Sequence, residues 1–386
     1  MNIGIYARPL ENDHRYRGIG VYTERIIKAL VSEFPDDKYF IIAGEPDKIL
    51  AGLFPALPDN IIPVRMSIKP WEDRKYFWIY EYLRFASFSL SAQLAGGVRL
   101  DMIHFPDSIV RPYFGAAWAV TVHDLIPLVF AGLHPLGRNR RLFYFTQRFL
   151  LKAGCRLITD SKCSAGDIEK LYGVGGAAVA PLGFDFKEAE AALCRGLGAV
   201  YSLPEKYILG LYAADWRKNS AALVRIYSIY RRLASNPRPL IISGRYSEDE
   251  SAYREMAREI KLQGLEEHIM FLNYSGREEL VNIIKNSEAL LFPSMYEGFG
   301  LPPLEALALG APVVAFDNSS IREVVEDGYF LAPDGDYDEF ARKTVHITEN
   351  RLEAVERIRV MERRISEYSW ARSARLTRKA FGPPDR

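Results

Sequence analysis

Leu290-Leu-Phe-Pro-Ser-Met-Tyr-Glu-Gly-Phe-Gly-Leu-Pro-Pro-Leu-Glu-Ala-Leu-Ala-Leu-Gly310 is the stretch from which the architecture follows. The apolar run Ala289 to Phe292 ends at Pro293 and reads as a buried strand. A helical pattern begins at Pro302-Pro303, where proline suits a first turn, and stops at Gly310, the residue type that best closes a helix. The loop between them carries Glu297, with Gly298 and Gly300 on either side of Phe299. Glycine lets a ligand approach the backbone closely, and a helix start adds N–H groups and partial positive charge. Strand, glycine loop and helix in that order make a phosphate site within an α/β sheet.

Glu297 stands in the loop, and Glu305 follows in what the pattern makes the first helical turn. Carboxylates accept hydrogen bonds from vicinal hydroxyls, so two of them beside a phosphate cradle fit a nucleotide-sugar pocket. Either Glu alone is explained as well by helix-dipole complementation or by solvation.

Working outward, strand-like runs alternate with helical segments throughout, which implies parallel sheets. The first half has strand patterns near Asn2–Ala7, Tyr39–Gly44, Ile61–Arg65, Met102–Phe105, Ala119–His123, Leu157–Ser161 and Ala177–Pro181. The second half restarts at Tyr207–Tyr212 and continues with Leu240–Ser243, His268–Leu272, Ala289–Phe292 and Pro312–Phe316. A chain of 386 residues is long for one core. The expected division is two doubly wound Rossmann-like domains, 1–184 for the acceptor and 206–365 for a nucleotide sugar, joined by a linker at 185–205. The final segment, 366–386, is expected to return to the first domain. Ligands of such sheets bind beyond the carboxyl ends of the strands, so the two domains should face a cleft.

Motifs at those strand ends are the candidates for its lining. Gly18 and Gly20, in Arg17-Gly-Ile-Gly-Val-Tyr22, open a helix, although a tight turn explains a lone Gly-x-Gly equally well. His123 ends the run Ala119-Val-Thr-Val122. Arg217 and Lys218 sit at a strand-to-helix junction, where two cations can neutralise a diphosphate, and Asn219 or Ser220 can cap the next helix. Ser164, with Asp167 three residues on, and Ser320, with Glu323, read as helix caps. Asp334-Gly-Asp336 reads as a solvated turn.

Tyr296-Glu-Gly-Phe-Gly-Leu-Pro-Pro-Leu-Glu-Ala306 resembles the signature of the group 1 (family 4) retaining glycosyltransferases, which have the two-domain GT-B fold. The resemblance implies that Glu297 contacts the transferred sugar, that the amides of Phe299, Gly300 and Leu301 meet sugar and phosphate, and that Glu305 holds the ribose. The Arg217-Lys218-Asn219 element is similar to the family's phosphate grip, with Lys218 first and Arg217 second. By the same resemblance Gly18 and Gly20 face the diphosphate or acceptor, His123 meets the transferred sugar, and the loop Leu272-Asn-Tyr-Ser-Gly276 meets the base. Tyr212-Ala-Ala214 departs from the family, many of whose members have glycine there, followed by arginine or threonine.

Together, Gly18 to Tyr22, His123-Asp-Leu-Ile-Pro127 and Arg217 to Asn219 resemble the bacterial mannosyltransferase subset. This implies GDP-mannose as donor, with UDP-glucose or another UDP-hexose next, and a glycan or polyprenyl-linked oligosaccharide as acceptor. A nucleotide-sugar epimerase on the same fold would need side chains that move protons around the sugar ring, and His123 stands alone. A non-catalytic nucleotide-sugar sensor is the third class.

Composition excludes other partners. Fifty basic against forty-nine acidic residues leave a net charge of +1, so bulk attraction to nucleic acid is not supported. Cys155, Cys163 and Cys194 have neither metal-ligand spacing nor an even count, which suits reduced thiols in a cytoplasmic protein. No apolar run reaches the length of a membrane span, and neither a metal nor another cofactor is expected. Two stretches join aromatic and basic residues. One runs from Lys69 and Trp71 through Tyr76, Phe77, Trp78, Tyr80, Tyr82, Arg84 and Phe85 to Phe88; the other is Arg138 to Lys152. Helices that pack Leu142, Phe145 and Phe149 inward are the first expectation, and an interfacial surface for anionic lipid is the second.

Overall fold

The structure, a computed structural model, describes the chain except residues 12–14, 16–17, 66–98, 108–116, 134–135, 196–202, 274–275 and 383–386. The first aromatic and basic stretch, Arg17, Tyr274 and Ser275 therefore lie outside the described residues. The chain divides into two units, Met1–Gly183 with Ser369–Arg386, and Phe184–Tyr368.

The first unit is a parallel sheet of seven strands in the order β3-β2-β1-β4-β5-β6-β7. Its strands are β1 (Asn2–Tyr6), β2 (Lys38–Ala43), β3 (Ile61–Arg65), β4 (Met102–Phe105), β5 (Ala117–Thr121), β6 (Arg156–Thr159) and β7 (Ala178–Val179). They are short and β-branched or aromatic, and the central ones are buried on both faces, as a doubly covered parallel sheet requires. Helices α1 (Gly18–Glu33), α2 (Pro46–Leu53), α3 (Ile126–Val129), α4 (Arg138–Lys152) and α5 (Lys162–Tyr172) connect them. Tyr6, Ile103, Phe105, Val120, Val122 and Ile168 form the middle of the core.

The second unit is a parallel sheet of six strands in the order β10-β9-β8-β11-β12-β13. Its strands are β8 (Ile208–Leu211), β9 (Leu240–Ser243), β10 (Ile269–Leu272), β11 (Ala289–Phe292), β12 (Val313–Phe316) and β13 (Leu331–Ala332). The helices are α6 (Phe186–Arg195), α7 (Ser220–Leu233), α8 (Ser251–Gln263), α9 (Arg277–Asn286), α10 (Leu301–Ala308), α11 (Ile321–Val325), α12 (Tyr337–Glu349) and α13 (Arg351–Ile365). The last helix, α14 (Trp370–Ala380), belongs to the first unit, where it packs on α1. Tyr22 faces Trp370 at 6.2 Å between ring centroids, and Arg378 Nε donates to Asp37 Oδ2 at 2.5 Å.

Several local expectations change. The stretch 185–205 is not simply a connector, because α6 buries Ala189 and Ala192, and Asn282 Nδ2 of α9 donates to the Ala192 carbonyl at 3.0 Å. Ser161, not Ser164, caps α5, its Oγ accepting from the Ser164 amide at 3.0 Å. Asn219 begins α7 without a side-chain cap bond, its φ of +57° closing the preceding short turn instead. Ser320 does not cap α11 with its side chain, because its hydroxyl is drawn to the Glu297 carbonyl. Asp336 caps α12 by accepting from the Glu339 amide at 2.9 Å. Helix α4 buries Gln147 and Leu151 and leaves Leu142, Phe145 and Phe149 outside, the reverse of the inward stripe expected.

Candidate functional site

In the second unit the strand order reverses between β8 and β11, and the crevice at such a reversal is where open α/β sheets receive ligands. The two strands pair in parallel, Leu291 opposite Gly210, so the segments leaving them emerge at the same edge. From β8 comes the short turn Trp216–Lys218; from β11 comes the loop Pro293 to Gly300. The Met295 amide ties the two by donating to the Arg217 carbonyl at 2.8 Å.

This tie brings Lys218 to Glu297, with Nζ 2.6 Å from Oε1. Glu297 is buried and held from several sides. Ser294 Oγ donates to its Oε1 at 2.5 Å, its amide donates to Ser319 Oγ at 3.0 Å, and Ser320 Oγ donates to its carbonyl at 2.9 Å. An ammonium has three donors, and Glu297 takes one of those on Lys218. Arg217 is disposed otherwise, its guanidinium forked onto Asp215. Burial pushes the Asp215 carboxyl up, but Arg217 outweighs this and holds it below its ordinary value.

After Glu297 the backbone turns through Gly300 at φ +103°. A Cβ there would stand 2.8 Å from the Ile321 Cδ1 methyl, which would have to shift, while the left-handed backbone itself favours glycine. The helix start holds fewer N–H groups than its sequence suggests. Pro302 and Pro303 have none, and the Leu304 amide donates to the Gly300 carbonyl at 3.2 Å. Among the described residues the amides of Phe299, Gly300 and Leu301 carry no hydrogen bond, so three consecutive donors remain next to Glu297 and Lys218.

Glu305 lies in the second turn of α10 rather than the first, and is buried. Arg277 at the start of α9 donates to its Oε1 at 2.6 Å. Burial opposes the Arg277 charge, but Glu305, with Glu188 and Asp185 behind it, holds that guanidinium above its ordinary value. Sequence reasoning missed Arg277, Ser294 and Ser319. The one available signal was position, since each lies just beyond the carboxyl end of a strand.

Tyr212 is buried, and its hydroxyl donates to Glu250 Oε2 at 2.6 Å. Its ring sits edge-on to Tyr246 and Tyr253, which stack on each other at 5.3 Å. Gly244 admits it, since a Cβ at 244 would meet the Tyr212 carbonyl oxygen at 2.7 Å.

The remaining candidates belong to the first unit. Gly18 opens α1, exposed, with nothing within 4 Å of where its Cβ would be, so packing does not demand glycine there. Gly20 is buried in the first turn. His123 is the partner of Tyr22, their rings edge-on at 4.7 Å. Its Nδ1 stands 2.6 Å from Asp160 Oδ2, and its Nε2 stands 2.9 Å from the Pro106 carbonyl. Burial would lower the imidazole, but Asp160 and the Pro106 carbonyl hold it up at about 9. Both ring nitrogens thus face acceptors inside the unit, an arrangement that suits an imidazolium. Asp160 was missed as its partner. The register from Thr121 opposite Ile158, continued two residues, sets 123 beside 160.

Among the described residues no helix is long and apolar enough to cross a membrane, and no group of three His, Cys, Asp or Glu side chains gathers as metal ligands would.

Residues 202–365 match the family described as glycosyl transferases group 1. The chain is 24% identical over 364 residues to the serotype-specific mannosyltransferase WbdA of Escherichia coli, covering 86% of this chain and 42% of that protein. It is 28% identical over 244 residues to O-antigen chain mannosyltransferase B of Escherichia coli, covering 62% of this chain and 63% of that one. The chain thus spans about half the length of the curated relatives it matches. The structure is similar to that of a sucrose-phosphate synthase from Thermosynechococcus elongatus, with a TM-score of 0.74 at 18% identity over 99% of both chains. Two parallel sheets with covering helices are the GT-B fold.

Proposed function

We propose, from the membership of residues 202–365 in the glycosyl transferases of group 1, that this chain moves a hexosyl unit from a nucleoside-diphosphate sugar to a hydroxyl acceptor. The observation that carries the reading is the Lys218 ammonium 2.6 Å from Glu297, beside the amides of Phe299, Gly300 and Leu301 at the β8/β11 reversal. One cation and three consecutive unengaged N–H groups suit the diphosphate, and a fixed carboxylate next to them suits the sugar hydroxyls. Glu305, buried at the side of α10, is assigned to the ribose, and Arg277 orients it.

In the proposed reaction the acceptor hydroxyl attacks the anomeric carbon from the face that the diphosphate vacates. The bond from that carbon to the diphosphate oxygen breaks, the hydroxyl proton passes to the diphosphate, and configuration is retained. Lys218 and the amides stabilise the negative charge as it develops. The donor proposed is GDP-mannose, supported by relatives named as mannosyltransferases. The acceptor proposed is a glycan or polyprenyl-linked oligosaccharide of cell-surface polysaccharide synthesis, met by a cytoplasmic protein at the inner face of the plasma membrane. No metal or other cofactor enters the scheme. Gly18 and Gly20 are proposed to face the donor diphosphate or the acceptor.

A donor panel tests the scheme. GDP release from GDP-mannose, stimulated by an oligosaccharide acceptor and giving an α-linked product by NMR, is expected. Release from UDP-glucose alone would replace the donor. An epimerised donor sugar, or binding without turnover across all acceptors, would overturn the transferase reading.

A further inference from the structure

Helix α4, Arg138-Asn-Arg-Arg-Leu-Phe-Tyr-Phe-Thr-Gln-Arg-Phe-Leu-Leu-Lys152, holds five cations and no acid. Leu142, Phe145 and Phe149 are 47%, 68% and 70% exposed, whereas polar Gln147 is buried and accepts from the Tyr172 hydroxyl. With about 100° per residue, the three apolar side chains fall within an arc of about 60°, and Arg138, Lys152, Arg141 and Arg148 fill the same arc and the flank on one side of it. A helix facing water keeps its apolar stripe on the other side. Here two phenylalanine rings and a leucine project outward beside a row of positive charge.

We propose that this face of α4 docks the protein on an anionic lipid surface. Phe145, Phe149 and Leu142 enter the boundary between headgroups and acyl chains, while Arg138, Arg141, Arg148 and Lys152 lie against lipid phosphates. Charge selects this occupant. The whole chain has a net charge of +1, whereas this one helix carries five cations and no carboxylate, so the attraction is local and directed at a negative partner. A second copy docked through the same face would set those cations against their equivalents. The rings project from the helix surface, which suits insertion into a soft layer. Arg148 is also braced, its Nε donating to the Tyr172 carbonyl at 3.1 Å, so that edge of the row is fixed. The inference rests on the proposed function only for its purpose, which is to bring the protein to a lipid-linked acceptor.

Co-sedimentation with phosphatidylcholine vesicles, with and without phosphatidylglycerol, tests it. The full chain is expected to sediment only with the anionic vesicles and to be released by salt. The double variant Phe145→Ser, Phe149→Ser should partition at least about tenfold more weakly. Arg138→Ser with Arg141→Ser should weaken partition by about fivefold for each cation removed. All four side chains are exposed, so both variants should keep wild-type circular dichroism and wild-type transfer to a water-soluble acceptor. The proposal is overturned if the wild type stays in the supernatant, if phosphatidylglycerol makes no difference, or if both variants bind as the wild type does. A dimer by light scattering that the phenylalanine variant turns into a monomer also overturns it, assigning the face to a second copy. Vesicle binding with no transfer from any donor would sink the functional reading and leave the docking intact.

Discussion

At the carboxyl end of the first sheet His123 meets Asp160, and at the carboxyl end of the second Lys218 meets Glu297. Each pair joins a cation and a carboxylate delivered by neighbouring parallel strands, at the same distance of 2.6 Å. The surroundings differ. The imidazolium gives its second N–H to the Pro106 carbonyl, which closes the pair. The ammonium keeps donors beyond the one Glu297 takes, and three backbone amides next to it are unengaged among the described residues. A charge pair that is complete stabilises its own domain, and one left incomplete can bind. On the proposed function the donor chemistry falls to Lys218 and Glu297, while the His123–Asp160 pair braces its own unit.

Changes at the incomplete pair should have the largest effect. Glu297→Ala is expected to lower turnover by at least about a thousandfold, and Lys218→Ala by a hundredfold or more in kcat/KM, as for the loss of a group aimed at developing charge. Circular dichroism should show both folded, and full transfer rates in Glu297→Ala would break the assignment.

The closed pair should show itself in stability instead. A histidine raised from its usual 6.5 to about 9 adds stability that is fully present below pH 6.5 and is lost as pH rises through 9. The size is about 3 kcal/mol at most. Stability to urea followed by circular dichroism should therefore weaken between pH 6.5 and 9.5 in the wild type, and His123→Asn should flatten that slope. Equal slopes in both proteins would mean that the histidine is not charged in the fold.

A smaller effect is expected at Gly300. Ala there must hold φ +103° and displace Ile321, at a cost of about 2 kcal/mol, with KM for the donor rising as the Phe299 to Leu301 amides shift. The smallest belongs to Arg217, which Asp215 already holds. Arg217→Ala should cost less than about tenfold in kcat/KM, and a loss as large as that of Lys218→Ala would mean the guanidinium leaves Asp215 when donor binds.

Much of this was legible in the sequence, for identifiable reasons. Buried parallel strands are continuous apolar runs, so Met102–Phe105, Leu240–Ser243 and Ala289–Phe292 fall where the pattern places them. Gly300 was legible because a glycine between two apolar residues before a double proline has few other uses. Partners distant in sequence were hidden. Asp160 for His123 is set by register between neighbouring strands, and Arg277 for Glu305 by how two helices pack, and local patterning encodes neither. Ser320 illustrates the competition, since its spacing to Glu323 suits a helix cap while the nearby Glu297 carbonyl claims its hydroxyl. The outward phenylalanines of α4 were misjudged because helical spacing reveals a stripe without saying which side the core lies on.

Helix α14 has a consequence for how the molecule is made. The face of α1 that carries Tyr22 and the carboxylate of Asp37 take as partners Trp370 and Arg378, which the ribosome delivers only after all of residues 184–368. The unit that translation begins first is thus completed last, and until then its nascent sheet waits with one flank uncovered while the later unit closes ahead of it.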